Sequence, residues 1–261
     1  MESLLEPLRS DPGAAAILTD VDGTIAPIVD DPAAAVVPAE TRDLLAALAE
    51  RYALVACVSG RPALDARRIV GLDSIAYSGN HGYELLMPGA TEPRPDPSLD
   101  GHDRDAAEFA AALEEADLDR AGIRVEDKGA IVALHWRGSD NESAAESLAS
   151  EIAADAEWRE LVAHHGRKVL EIRPNVAINK GIAVAAIIAS KPVRAALYGG
   201  DDRTDADAFE ALRTLRADGN LDAIACVGVG SDEAPPDVAA GADLNVDGPE
   251  GFAAVLRALA A

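Results

Sequence analysis

The sequence predicts an α/β fold: a doubly wound parallel sheet with helices on both faces, carrying a smaller α+β unit inserted within it. Three observations predict it. Short apolar runs alternate with segments whose apolar residues recur at helical spacing. Several of those runs stop abruptly in acidic or glycine-containing turns. A proline-rich stretch near the middle then breaks the rhythm, which resumes about seventy residues later.

Taken in order, AAAILTD (14–20) reads as a buried strand ending in an acidic loop, and ETRDLLAALAERY (40–52) as an amphipathic helix. YALVACVSG (52–60) is a second buried strand, DARRIVGL (65–72) a short helix, and SIAYSGN (74–80) a third strand. MPGATEPRPDPSLDG (87–101) holds four prolines and reads as a linker. Beyond it the pattern predicts one acidic helix over DRDAAEFAAALEEADL (103–118), a strand at the centre of RVEDKGAIVALHWR (124–137), a long helix in SDNESAAESLASEIAADAEWREL (139–161) and a strand at KVLEIRP (168–174). This block, residues 101–174, is expected to be the inserted unit, with 1–100 and 175–261 forming the core. In the second part of the core, KGIAVAAIIAS (180–190) is a helix, VRAALYGGDD (193–202) a strand ending in acids, and TDADAFEALRTLRADG (204–219) a helix. DAIACVGVG (222–230) and ADLNV (242–246) are strands, and GPEGFAAVLRALAA (248–261) is the closing helix.

Composition narrows the function classes. Hydrophobic residues make up 49% of the 261 and mean hydropathy is near zero, as in an ordinary soluble globular protein. The net charge of −23 excludes a nucleic-acid or anionic-membrane partner, since both require a basic footprint. No apolar run reaches the roughly 18–20 residues that span a bilayer, and MESLLEPLRSDPG lacks the basic-then-apolar order of a signal peptide. A cytoplasmic location and a monomer are the default expectations. Cys57 and Cys226 each lie in an apolar run and are expected to fill the core. His102 falls in the linker and His164 and His165 in a predicted solvated loop, with no ligand spacing among them.

The chemistry is concentrated at strand ends, where ligands collect in open α/β sheets. LTDVDGT (18–24) places Asp20 and Asp22 in one tight turn that Gly23 permits, with Thr24 able to cap the next segment. Such an Asp-Gly turn also suits a plain solubilising loop. A second acid cluster, YGGDDRTDADAF (198–209), again comes after an apolar run. Acids at two strand ends are what Mg²⁺ needs, because this hard cation takes oxygen ligands. Asp201 is the ligand expected there, while Asp202 and Asp205 equally fit an acidic helix N-terminus. VSGRP (58–62) sets Ser59 after the second strand, where its hydroxyl and backbone N–H groups at Gly60, as at Gly23 and Thr24, can hold a phosphoryl oxygen. Lys180, one of only four lysines, opens a helix, an unfavourable place for a cation without a compensating anion.

DVDGT, a Ser after the second strand, a Lys at a later helix start and GDD after a further strand resemble, in order, the four motifs of the haloacid dehalogenase superfamily. The resemblance implies a Rossmann-like core with an inserted cap. It also implies that Asp20 attacks phosphorus, that Asp22 serves as acid and then base, and that Lys180 and Ser59 bind the phosphoryl oxygens. Mg²⁺ is implied on the Asp20 carboxylate, the Asp22 carbonyl and Asp201. SGRPALD (59–65), GNHGYE (79–84), VEDKGAIVALHWR, EIRPNVAINKG (171–181) and GGDDRTDADAF (199–209) resemble trehalose-6-phosphate phosphatases over nearly the whole chain. The substrate implied is a small phosphorylated disaccharide. Glu126, Lys128 and Glu171 are expected to grip its distal glucose from the cap, Arg61, Asn80 and His81 to contribute from the core, and Arg173 and Asn175 to lie near the cap hinge. Glu126 and Lys128 also fit a solvated strand face. The sequence departs from that family at Trp136, where Tyr is usual, and at Asn179, where Asp is frequent. Another sugar-phosphate phosphatase, a phosphomannomutase-like enzyme and a non-catalytic sugar-phosphate-binding module remain open alternatives.

Overall fold

The computed structural model describes residues 1–29, 31–166, 168–230 and 236–261. The chain divides into two compact units, Met1–Pro95 with Ile178–Ala261, and Asp96–Ala177.

The first unit opens with helix α1 (Glu2–Ser10), whose Leu5 and Leu8 are buried. Strand β1 (Ala15–Thr19), α2 (Ala39–Arg51), β2 (Leu54–Val58), α3 (Ala63–Val70) and β3 (Ala76–Gly79) come next. β4 (Glu84–Leu86) then turns back antiparallel on β3, and β5 (Arg94–Pro95) antiparallel on β4. The expected linker therefore contains a strand at its Pro-rich end. Proline is tolerated there because β5 is the edge of the sheet, where a missing N–H breaks no ladder.

The second unit starts with two short helices, α4 (Asp105–Ala111) and α5 (Glu115–Ala121), in place of one acidic helix. Phe109 and Leu118 are nine residues apart, so a continuous helix turning about 100° per residue puts them on opposite faces. Both are buried, and the break is what lets both reach one core. β6 (Arg124–Asp127) and β7 (Val132–His135) form a hairpin in place of a single strand, its turn closed by Gly129 at φ +90°. α6 (Glu142–Trp158) is capped by the Asn141 side chain. β8 (Val162–Gly166) and β9 (Val169–Arg173) complete an antiparallel sheet of order β6-β7-β9-β8. His164 and His165 thus sit on an edge strand, not in a loop. Val132, Leu134, Leu170 and Ile172 pack on the three helices, and Trp136 is buried in the same core.

The chain returns to the first unit through α7 (Lys180–Ala189), β10 (Ala195–Gly200), α8 (Asp205–Ala217), β11 (Ala223–Gly230), α9 (Pro236–Gly241), β12 (Leu244–Asp247) and α10 (Gly248–Ala260). The sheet order is β12-β11-β10-β1-β2-β3-β4-β5, with β12 through β3 parallel. Ile17, Val55, Cys57, Leu197 and Val227 face α1, α2, α3 and α10. Their neighbours Leu18, Ala56, Val58, Ala196 and Cys226 face α7, α8 and α9. This period-two division of wholly apolar strands is what a doubly wound sheet requires. Both cysteines are buried free thiols. Strand order reverses beside β1, between β2 on one side and β10 on the other, so the turns after β1 and β10 flank the crevice where such sheets bind ligands.

Candidate active site

Asp20 comes directly after β1, and its backbone N–H continues the sheet ladder to the Gly199 carbonyl at 2.8 Å. Gly23 takes φ +81°, and a Cβ there would stand 2.1 Å from the Asp201 carboxylate. Glycine is required by both the turn and the approach of the second acid. Thr24 is buried, and its hydroxyl donates to Asp201 Oδ1 at 2.9 Å, fixing that carboxylate.

Lys180 lies 1% exposed at the start of α7, and its ammonium donates to Asp20 Oδ1 (2.8 Å) and Asp205 Oδ1 (2.7 Å), with Asp202 3.9 Å away. The anions that a cation needs at a helix start are therefore present. Asn179 caps that helix, its side chain accepting from the Ile182 N–H at 2.9 Å, a task Asp performs equally well. Asp205 is fully buried and saturated with donors. Oδ1 accepts from Lys180 and from the Tyr198 hydroxyl (2.6 Å), and Oδ2 from the backbone N–H groups of Asp201 (3.0 Å) and Asp202 (2.9 Å). Asp202, half-exposed, bends back to accept from the Thr204 N–H and hydroxyl.

Asp20, Asp201 and Asp205 each bring a carboxylate oxygen within 4.8 Å of one another. The three acids share a single lysine. Burial pushes Asp20 well above the usual carboxylate range, against the pull of Lys180, and pushes Asp201 up to about 7, with Asp205 adding to it. Burial also opposes the Lys180 charge, but Asp20 and Asp205 outweigh it and hold the ammonium protonated. A hard divalent cation fits this deficit of positive charge. Among the described residues, Oδ2 of Asp20 and Oδ2 of Asp201 make no hydrogen bond, whereas both Asp205 oxygens are committed. Asp20 and Asp201 therefore each keep an oxygen that could hold a cation, while both Asp205 oxygens are spent on Lys180, Tyr198 and the turn.

Ser59 is buried after β2, its Oγ accepting from the Arg61 N–H at 3.1 Å. Arg61 grips Asp22 with two bonds, Nε to Oδ2 (2.6 Å) and Nη2 to Oδ1 (2.7 Å), and donates from Nη1 to the Pro32 carbonyl. Asn80 and His81 occupy the left-handed region at φ +51° and +59°. Their N–H groups bond the carbonyls of Arg61 and Ser59, and the His81 ring lies against Gly60, where a Cβ would be 2.6 Å away. That conformation is unfavourable for side-chain-bearing residues and recurs at functional sites.

In the second unit, Lys128 pairs with Glu171 (3.0 Å) and lies 4.0 Å from Glu126. Arg173 pairs with the other oxygen of Glu171. The register aligns Glu126, Ala133, Glu171 and His164 across the sheet face opposite the helices. His135, on the same face, meets Glu126 at 2.8 Å. Neither His135 nor His164 stands out in sequence, although strand alternation from Ala133 puts His135 on that face. Asn175 is exposed and lines a different cleft, of about 630 Å³, with His102, Asp105, Phe109 and Arg159. Tyr198 is the other group that sequence reasoning passes over; a buried tyrosine hydroxyl needs a partner.

Residues 18–238 match the family model for trehalose-phosphatase. The chain belongs to the trehalose-phosphatase family. It is 36% identical over 210 residues to a trehalose-phosphate phosphatase of Mycobacterium marinum, covering 76% of this chain and 51% of that one. It is 35% identical over 208 residues to an uncharacterized glycosyl hydrolase of Mycobacterium tuberculosis, covering 76% of this chain and 15% of that one. This member of the family thus spans about half the length of the curated phosphatases it matches. Its fold is that of the C-terminal domain of a Candida albicans trehalose-6-phosphate phosphatase (TM-score 0.78, 22% identity, 99% of this chain and 96% of that one). A haloacid dehalogenase-like hydrolase from Bacteroides thetaiotaomicron shares the fold as well (TM-score 0.69, 12% identity, 94% and 99%). Among the described residues no helix is long and apolar enough to cross a membrane.

Proposed function

We propose that this protein hydrolyses trehalose 6-phosphate to trehalose and inorganic phosphate through an aspartyl-phosphate on Asp20, with Mg²⁺ as cofactor. The observation that carries this is the buried lysine bridging Asp20 and Asp205 beside Asp201, in a chain of the trehalose-phosphatase family.

A carboxylate oxygen of Asp20 forms a bond to phosphorus while the bond from phosphorus to the sugar oxygen breaks. Asp22 donates the proton that the leaving oxygen takes up, then accepts one from the water that attacks the aspartyl-phosphate and releases Asp20 and phosphate. In the resting protein Arg61 holds both Asp22 oxygens at the mouth of the turn, so it has to release one of them before Asp22 takes up and passes the proton. Lys180, Ser59 and the N–H groups of Thr24 and Gly60 bind the charge spread over the phosphoryl oxygens, whereas the Gly23 N–H, expected to join them, donates to the Ala26 carbonyl at 2.8 Å and closes the turn instead. Asp20, Asp201 and the Asp22 carbonyl would hold Mg²⁺, which would supply Lewis-acid neutralisation of the repulsion between carboxylate and phosphate. Glu126, Lys128, Glu171 and Arg173, with His135, supply alternating charges suited to a polyol, and the second unit is the substrate-recognising cap.

The test is phosphate release from trehalose 6-phosphate, glucose 6-phosphate, sucrose 6-phosphate and a mannose phosphate, each with Mg²⁺ and with chelator. Trehalose 6-phosphate is expected to be turned over best and only with the metal. Equal turnover of glucose 6-phosphate removes the substrate assignment, and full activity in chelator removes Mg²⁺.

A further inference from the structure

Tyr198 is wholly buried on β10, in a strand that otherwise reads as apolar filler, and has no part in the chemistry above. Its hydroxyl donates to Asp205 Oδ1 at 2.6 Å, the same oxygen that Lys180 holds at 2.7 Å. The ring is fixed edge-on to Phe209, at a centroid distance of 6.0 Å and an interplanar angle of 81°. Burial and the adjacent carboxylate keep the phenol protonated, so it always donates.

A carboxylate oxygen has two in-plane acceptor directions. At Oδ1 the tyrosine takes one and leaves the lysine the other. The opposite oxygen is pinned by the N–H groups of Asp201 and Asp202. Asp205 also lies directly against the Gly200 backbone, where a Cβ would be 2.2 Å from its Cγ, so only glycine there leaves room for the carboxylate in this place. Four donors thus fix the carboxylate in position and rotation. The Lys180 ammonium is left one direction of approach, the one that brings it 2.8 Å from Asp20. Without the hydroxyl, Lys180 can slide to the vacated direction on Oδ1, and its aim at Asp20 is lost while its ion pair with Asp205 is kept.

We propose that Tyr198 is a positioning residue for Lys180, acting through the Asp205 carboxylate that both share. The proposal rests on the phosphatase reading of this site and adds a residue to it.

Tyr198→Phe removes only the hydroxyl. With p-nitrophenyl phosphate as probe, which makes the result independent of the natural sugar, kcat is expected to fall about tenfold while KM stays within about twofold. Inhibition by orthovanadate, a mimic of the transferring phosphoryl group, is expected to weaken by a similar factor. In a cycle with Asp205→Asn, the double variant is expected to be no slower than Asp205→Asn alone, because the tyrosine acts only through that carboxylate. Unchanged kcat with only a lowered melting temperature makes Tyr198 a packing residue and overturns the proposal, as do losses that multiply. If Asp205→Asn does not fold, the orthovanadate comparison decides: inhibition equal to the parent's overturns it. A parent protein that releases no phosphate from any monoester defeats the phosphatase reading itself, a result distinct from an active parent matched by its Tyr198→Phe variant.

Discussion

The polar cluster at the ends of β1 and β10 and the one on the open face of β6, β7 and β9 are built from the same residue types, lysine between acids, but in different surroundings. Lys180 is 1% exposed and its partners Asp20 and Asp205 are 6% and 0% exposed. Lys128 and Glu171 keep 12% and 10%, and Glu126 47%. In the first cluster Asp205 is held by Lys180, Tyr198 and two backbone N–H groups while Asp20 depends on Lys180, so moving one charge leaves another buried and uncompensated. In the second, Glu126 reaches water and Lys128 keeps a little exposure, so under the proposed function these pairs can be exchanged for a ligand's hydroxyls. Fixed charge suits bond-making, and exchangeable charge suits recognition.

The sharpest way to break that division is at Asp20, the proposed nucleophile. Asp20→Asn keeps shape and removes the attacking anion, so turnover is expected to fall by at least about 10⁴-fold in a folded protein. Surviving activity in a circular-dichroism-validated sample rules out the covalent route. Next in size is Lys180→Met, which leaves two buried carboxylates without their cation. Removing one partner of a buried pair costs about 3–5 kcal/mol, and urea denaturation of the metal-free protein is expected to show a loss of that size. A loss under about 1 kcal/mol, the level of a surface pair, erases the contrast between the clusters.

The two clusters also differ in how much of them is legible in the sequence. Asp20, Ser59, Lys180 and Asp201 sit at strand ends or helix starts whose positions are set by apolar periodicity, so topology alone gathers them. Thr24 reads in sequence as a phosphate-site residue, yet its hydroxyl is spent on Asp201, because a side chain's partner depends on coordinates that spacing does not encode. On the sheet face, alternation marks Glu126 and Lys128 and, from Ala133, His135, but which strands lie side by side, and so His164, comes only from cross-strand register, and β8 itself carries a histidine-rich pattern that resembles a loop. Asn175 is two residues beyond Arg173 and still opens on a different cleft, since the strand ends at Arg173 and its alternation does not carry on through Pro174. The split of α4 from α5 is hidden for a similar reason: alanine-rich helical composition spans the break, and only the burial of both Phe109 and Leu118 requires it.

A smaller effect sharpens the contrast from the recognition side. Glu171→Gln removes the carboxylate that Lys128 and Arg173 share. KM for trehalose 6-phosphate is expected to rise about tenfold, or about 1.4 kcal/mol, while kcat/KM for p-nitrophenyl phosphate stays within about threefold. A parallel loss on both substrates assigns Glu171 to folding and returns the sheet face to ordinary surface.

The smallest effect is set by pH. Burial lifts Asp201 from an ordinary value of 3.8 to about 7. Between those values the native state binds a proton at Asp201 that the unfolded chain has released, so the stability tied to this group is present below about pH 4 and is lost as pH rises to 7. Most structural carboxylates, depressed by their partners, act in the opposite sense. A cation on Asp201 needs the ionised form, so its affinity is expected to climb by up to about tenfold per pH unit below 7 and less steeply above it. Thermal melting with Mg²⁺ and with chelator at pH 5, 6, 7 and 8 reads both statements at once. The gap between the two melting temperatures should widen steeply up to pH 7, since each proton that leaves Asp201 costs the metal-free protein and favours the loaded one, and less steeply above it, where Asp20 alone, also held above the usual range, is left to ionise. A gap independent of pH places the titrating acid outside the metal site and makes Asp201 a structural partner of Thr24.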